Sequence, residues 1–145
     1  MSTTMLGDRP EDLTLVDALV QLSFTVHAAL AAAAAEQDLS VTQLRLLGIL
    51  RDRQPLMLDL ARVLGLEKSS VSGLVDRAAK RGLVERVDAT HDGRAVHVRI
   101  TAEGRRVGRR AQRRVNAEVE QLAAGLGEQD RAELRRLAAE VVAPA

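Results

Sequence analysis

MLDLARVLGLEKSSVSGLVDR, residues 57–77, is the stretch that decides how this chain folds. Two short helices can cross steeply only with a small residue at their approach, a turn that tolerates left-handed backbone, and apolar residues that lock them together. Ala61 is the small residue, Gly65 stands four positions on at the turn, and Val71 folds the second helix back onto the first. Leu60, Leu64, Leu66 and Leu74 complete the wedge. The spacing predicts helices over about Met57–Leu64 and Lys68–Arg81, with Gly82 stopping the second. Lys68, Ser69, Ser70, Ser72, Gly73, Asp76 and Arg77 then point away from the wedge. A major groove accepts a helix presenting such groups. Lys68 and Arg77 suit phosphate or guanine. Ser69 and Ser70 either bond DNA or cap the helix start, and Asp76 either orients Arg77 or meets DNA.

Downstream the period changes. Leu83–Val87 is strand-like, and Val96, Val98 and Ile100 alternate with His97, Arg99 and Thr101. With the polar turn from Asp88 to Gly93, these make a hairpin. Thr101 suits an N-cap, and Val107, Ala111, Val115, Val119, Leu122 and Leu126 continue as a long helix until Gly125 and Gly127 break it. A last helix carries Leu134, Leu137, Ala138 and Val141. Upstream, a helix is expected from about Pro10 to Gln37, with Pro10, Glu11 and Asp12 in its first turn. It is apolar over most of its circumference, so it must be covered on more than one side; a second subunit is the expected cover. Ser40 and Gln43 spell a capping box for a helix running to about Asp52.

The expected fold is mainly α with a small β-hairpin: a winged helix-turn-helix over residues 40–101, flanked by dimerisation helices at 10–37 and 102–145, all in one domain of 145 residues. Residues 1–40 carry one basic against six acidic side chains, residues 41–101 eleven against seven. Only the middle of the chain is therefore suited to a polyanion. Phe24 is the sole aromatic residue, whereas single-strand and RNA modules stack bases on aromatic platforms, so the nucleic acid expected is duplex DNA. The chain has no cysteine, which excludes a disulfide framework or a thiolate zinc site. The longest wholly apolar run, Ala28–Ala35, is too short to span a bilayer and no signal segment opens the chain. A cytoplasmic protein without membrane contact is expected.

LGLEKSSVSGLVDR (64–77), KRGLVER (80–86) and DGRAVHVRIT (92–101) together resemble the MarR family of transcriptional regulators, most sharply over residues 57–104. The resemblance implies a homodimeric repressor on a palindromic operator. It also implies that Arg94 enters the minor groove at the wing tip, braced by Asp92. A guanidinium suits the strongly negative potential of a narrow minor groove. Gly73 departs from the longer side chain common at its position in the family, and Ala78–Ala79 from the commoner Leu-Glu.

Arg105, Arg106, Arg109, Arg110, Arg113 and Arg114 form a double column along the helix after the wing. The column can serve phosphate contact near its start or capture of an anionic ligand, but most of it reads as a solvated face paired with Glu103, Glu118 or the acidic first helix; Arg105 and Arg106, nearest the wing, are candidate phosphate contacts. Relatives bind small aromatic acids between dimerisation helices and DNA-binding lobe. A comparable pocket for a small anionic or aromatic effector can draw on His27, Arg45 and Arg51, although a lone histidine on an apolar face is more often a hydrogen-bonded core residue. His91 and His97 are expected to be exposed, without metal-ligand spacing. No phosphate-cradling glycine loop, HExxH or nucleophile elbow is present, so neither catalysis nor a cofactor is expected. The competing expectation is a winged helix that binds proteins and not DNA.

Overall fold

The computed structural model describes residues 12–88 and 95–144. Among them the order is α1 (Leu15–Glu36), α2 (Val41–Leu50), α3 (Met57–Leu64), α4 (Lys68–Lys80), β1 (Val84–Asp88), β2 (Val96–Ile100), α5 (Ala102–Leu122) and α6 (Glu128–Val142).

Local chemistry accounts for most boundaries. Ser40 Oγ accepts from the Gln43 N–H at 3.1 Å while Gln43 Oε1 accepts from the Ser40 N–H at 2.9 Å, closing the expected capping box. Gly65 ends α3 at φ +64°, and the Leu66 N–H returns to the Ala61 carbonyl at 3.0 Å. α1 differs from expectation. Thr14 is its N-cap and Asp17 its first-turn acid, so Asp12 precedes the helix and Pro10 and Glu11 lie outside the described residues. The Thr14 hydroxyl supplies the capping bond that places the start. β1 also begins one residue late, because the Leu83 N–H bonds back to Ala78 and belongs to the end of α4.

The strands pair antiparallel, Val84 opposite Ile100 through Asp88 opposite Val96. Pro55 and Leu56 lie along the other edge of β2: the Pro55 carbonyl accepts from the Val98 N–H at 3.0 Å, and Leu56 bridges to His97. His97 is half-buried, with Nδ1 2.7 Å from the Gln54 carbonyl, and so is less exposed than its sequence position suggested.

One core joins these pieces. Leu46 and Leu50 of α2, Leu60 of α3, Val71 and Val75 of α4, Leu83, and Val98 of β2 are wholly buried, with Ala34 and Val107 reaching in from α1 and α5. All five apolar wedge positions lie in or against that core. α1 and α5 pack on each other and on α2. In contrast, α6 contributes no buried residue, and Leu134, Leu137 and Val141 stand exposed along one side of it. The first half of α1 is similar: Leu15, Val16, Leu19, Val20 and Phe24 are uncovered, Phe24 by 72%.

Candidate nucleic-acid interface and adjoining cavity

The interface candidate starts at α4. Its N-cap is Glu67, which makes no side-chain bond, so the first-turn N–H groups are unpaired by any cap. Ser69 and Ser70 sit inside that turn and are exposed, with Lys68 beside them. The capping alternative for the two serines therefore does not hold. Helix N-termini of this kind receive phosphate oxygens. One turn on, Ser72 and Gly73 are half-buried and Arg77 is exposed. Gly73 makes room for Arg77: a Cβ there would come within 3.1 Å of the guanidinium.

Asp76 does not orient Arg77. It accepts from Arg86 of β1 at 2.5 Å, and Arg86 also reaches the Ser72 carbonyl at 3.5 Å. One arginine thus ties α4 to the first strand of the hairpin. On the neighbouring strand Arg99 bonds Glu85 directly across the register, at 2.6–2.7 Å. Asp92 and Arg94, expected at the wing tip, lie outside the described residues, as does His91.

Two further ties fix α4 to the long helices. Arg81 donates to the Gln37 and Asp38 carbonyls at 2.9 and 2.6 Å, satisfying backbone groups at the end of α1. At the other end of the hairpin, the Thr101 hydroxyl donates to the Gly82 carbonyl at 2.5 Å and caps α5 by accepting from the Gly104 N–H at 3.0 Å. The Thr101 N–H meets the Leu83 carbonyl at 3.0 Å. α4, β2 and α5 therefore converge on one residue.

The two arginine columns of α5 have different surroundings. Two of the three arginines in one column are matched with acid: Arg106 is bound by Glu103, and Arg114 by Glu36 at 3.3 Å and Glu118 at 2.7 Å. The Arg106 hydrogen bond holds the Glu103 carboxyl below its ordinary range, and that same bond raises Arg106. Arg106 is thus already engaged, whereas Arg105 donates to the Arg51 carbonyl at 3.1 Å. The inward column, Arg105, Arg109 and Arg113, faces a cavity of about 840 Å³ between α2 and α5. Arg109 and Arg113 are exposed, as expected of a solvated face, but among the described residues neither is paired with a carboxylate. Arg45 and Arg51 also line the cavity; His27 does not, and its side chain is exposed on α1 rather than packed in the core. Arg45 additionally donates to the Val63 carbonyl in the last turn of α3 at 2.9 Å.

The MarR family model matches residues 37–95, which include α2 through α4 and β1. The regulator from Rhodococcus sp. RHA1, described as MarR family, superposes with a TM-score of 0.79 at 25% identity over 92% of this chain and 99% of its own. Over its helix-turn-helix the chain is similar to the MarR family, and it shares the fold of that family's solved regulators. A second structural relative, CouR of Rhodococcus jostii RHA1, solved with p-coumaroyl-CoA, gives a TM-score of 0.78 at 25% identity, covering 96% and 98% of the two chains. An uncharacterized HTH-type transcriptional regulator, YfiV of Bacillus subtilis, is 33% identical over 71 residues, 48% of this chain and 44% of its own. The match thus spans less than half the length of that curated relative.

Within this MarR-like fold, sequence reasoning had missed the Asp76–Arg86 pair and the Arg81 clamp, and had preferred a solvated face to ligand capture for the arginines that line the cavity. Their signal was the spacing: Arg105, Arg109 and Arg113 repeat every four residues, which puts them on one helix face.

Proposed function

We propose that this protein is a MarR-family, ligand-responsive repressor that binds a palindromic duplex as a homodimer, with α4 in the major groove and the hairpin at the adjoining minor groove. The carrying observation is the first turn of α4, where uncapped N–H groups, Ser69, Ser70 and Lys68 stand together on an exposed surface. Arg77 follows on the same helix, as phosphate and base contact require. CouR supplies a precedent in the same fold, since it is a transcriptional repressor solved on a 23-mer DNA duplex. The role assigned is regulatory, not catalytic, and the site of action is the cytoplasm. Residues 40–101 form the DNA-binding lobe, and residues 10–37 and 102–145 the dimerisation helices. Arg105, beside the wing, remains the better phosphate contact, because Glu103 already holds Arg106. Effector occupancy can be felt at the DNA through Arg45, which reaches from the cavity wall to the last turn of α3.

α1 is long and apolar enough, by length and composition, to cross a membrane. Its second half is nevertheless fastened to protein: Ala29, Ala33 and Ala34 are buried, and Arg81 holds the carbonyls just past its end. Asp17, Gln21, Ser23 and Thr25 interrupt the first half, and His27 follows. A helix–helix interface accommodates such a mixed surface better than lipid does.

Selection of bound sequences from random duplexes tests the function. A palindromic consensus is expected, with a log–log salt slope of about −5 to −9 if six to ten phosphates are neutralised. Equal, weak binding to every duplex would replace this reading with a winged helix turned to protein partners. Within the same assay, Arg94→Ala is expected to weaken binding severalfold or more at unchanged fold; unaltered affinity would remove Arg94 from the minor groove. Asp76→Ala acts in the opposite sense. It deletes a negative charge beside the phosphates and frees Arg86, so affinity for non-operator duplex rises and the salt slope steepens by about 1. The half-exposed ion pair itself contributes at most about 1 kcal/mol to stability.

A further inference from the structure

Adjacent residues hold the C-terminal end of α4 on both long helices. Gly82 is fixed to α5, where its carbonyl accepts from the Thr101 hydroxyl at 2.5 Å. Arg81, the C-cap of α4, reaches α1 instead. Its guanidinium forks over the turn after α1, with Nη2 2.9 Å from the Gln37 carbonyl and Nη1 2.6 Å from that of Asp38. The turn leaves both acceptors open. Asp38 takes φ +55° and the Leu39 N–H returns to the Ala34 carbonyl at 2.9 Å, so among the described residues neither carbonyl meets a backbone donor. α1 has no basic side chain in its own last turn, and the cation that complements its negative end comes from α4. Among the described residues the other side-chain tie to this end of α1, Arg114 on Glu36 at 3.3 Å, comes from α5 and not from the DNA-binding lobe.

A helix held at one point can pivot about it, whereas two holds on different helices set its angle. α4 has 13 residues, so at about 1.5 Å per residue its first turn stands about 20 Å from Arg81. A pivot of roughly 10° at the Arg81 end displaces that turn by about 3.4 Å, the rise of one base pair. Two-fold symmetry applies the displacement in both subunits. Arginine suits the hold, because its two donors are fixed in one planar fork and little freedom is lost per bond. We propose that Arg81 is the positioning residue that sets which half-site spacing a dimer of this chain accepts. It acts through the angle of α4 on α1 and touches no DNA itself. The inference rests on the reading of α4 as the recognition helix of a two-fold dimer.

The test has one arm without DNA and one with it. The chain has no cysteine, so Ser70→Cys, in the exposed first turn of α4, carries a single spin label per subunit. Dipolar spectroscopy of the labelled full chain then reads the separation of the two α4 helices. A narrow distribution is expected, which Arg81→Ala broadens or shifts by about 3 Å or more. Arg114→Ala is the control: it removes a cation from the same end of α1 but no tie to α4, and should leave the distribution as it was. Should Arg81→Ala fold poorly, Arg81→Gln keeps a polar side chain too short to bridge both carbonyls and reads the same tie. In the second arm, unlabelled protein meets consensus duplexes with one base pair added or removed between the half-sites. The unaltered chain should discriminate against them by at least about tenfold, since both half-sites can no longer be engaged together. In Arg81→Ala that difference should shrink to about threefold or less, with affinity for a single half-site unchanged.

An α4 separation unchanged by Arg81→Ala would overturn the proposal, and so would undiminished discrimination between spacings. Equal losses on one and two half-sites would overturn it as well, by making Arg81 a DNA contact or a support of the fold alone. So would a labelled protein with no dipolar distance, since no second α4 is then held in place. Because the label arm uses no DNA, an unchanged distribution beside a palindromic consensus removes Arg81 and leaves the DNA-binding reading standing. A distribution broadened by Arg81→Ala beside failed duplex selection sinks that reading and keeps the Arg81 tie.

Discussion

Leu137→Glu is expected to reduce the protein in solution from about twice 15.7 kDa to the single chain, and to lower affinity for a two-half-site duplex by about 10²–10⁴-fold. The physical basis is the isolation of α6. It adds nothing to the core, and Leu134, Leu137 and Val141 recur at helical spacing along one exposed side. Each buried leucine is worth about 1.5–3 kcal/mol, and nothing within one chain collects it. The first half of α1 presents Val16, Val20 and Phe24 in the same uncovered condition. Two such faces in one chain fit a partner with the same two faces, which is what two-fold symmetry supplies.

A charge at position 137 leaves the helix-turn-helix core intact, since α6 has no share in it. The fall in affinity then comes from losing the second half-site, whose binding is intramolecular once the first is engaged. Light scattering reads the mass, and duplexes carrying one or two half-sites separate the two effects. Affinity for a single half-site should change little. A Leu137→Glu protein that stays at double mass would place the subunit contact elsewhere.

The difference between what was legible in the sequence and what was not lies in the range of the interaction. Periodicity and capping are local. Ala61, Gly65 and Val71 stated the helix-turn-helix, Ser40 and Gln43 the start of α2, and Thr101 that of α5, because each acts within a few residues of itself. Interactions between distant segments left no such mark. Arg86 finds Asp76 ten residues back only once the hairpin folds beside α4. Arg81 meets carbonyls more than forty residues away. The cavity was visible in part, as Arg45 and Arg51, but its main cationic wall comes from α5. A repeat every four residues says which side chains share a face without saying what the face looks onto. His27 shows the converse error: an apolar neighbourhood in sequence suggested a lined pocket or a packed core, and in the folded chain the residue is exposed and outside the cavity.

Gly104 is the residue whose importance sequence reading overlooked most completely, and replacing it with alanine should be destabilising by about 1–3 kcal/mol or more. Helix propensity gives the opposite sign, since an interior Gly→Ala change is ordinarily worth up to about 1 kcal/mol in favour of the folded state. The decisive quantity is space. A Cβ at this position would lie 2.0 Å from the Leu83 carbonyl oxygen and 2.8 Å from Ile100 Cγ1. The first is backbone, and that same carbonyl accepts the Thr101 N–H, so no rotamer change relieves the overlap. α5 must withdraw from the junction of α4 and β1, breaking the arrangement in which Thr101 bonds Gly82 and caps the helix. One turn along, Gly108 provides the control. A Cβ there meets Leu47 Cβ at 3.7 Å, ordinary contact, so Gly108→Ala should follow propensity and stabilise by up to about 1 kcal/mol. Thermal unfolding at one protein concentration compares the pair. At roughly 2–4 °C per kcal/mol for a chain of this size, Gly104→Ala falls by several degrees while Gly108→Ala rises slightly. Equal, small shifts in both would mean that α5 is free to move against the hairpin. A rigid junction there is what makes the spacing of the two α4 helices in a dimer depend on the long helices, so this comparison also tests the route by which a ligand between α2 and α5 reaches the DNA.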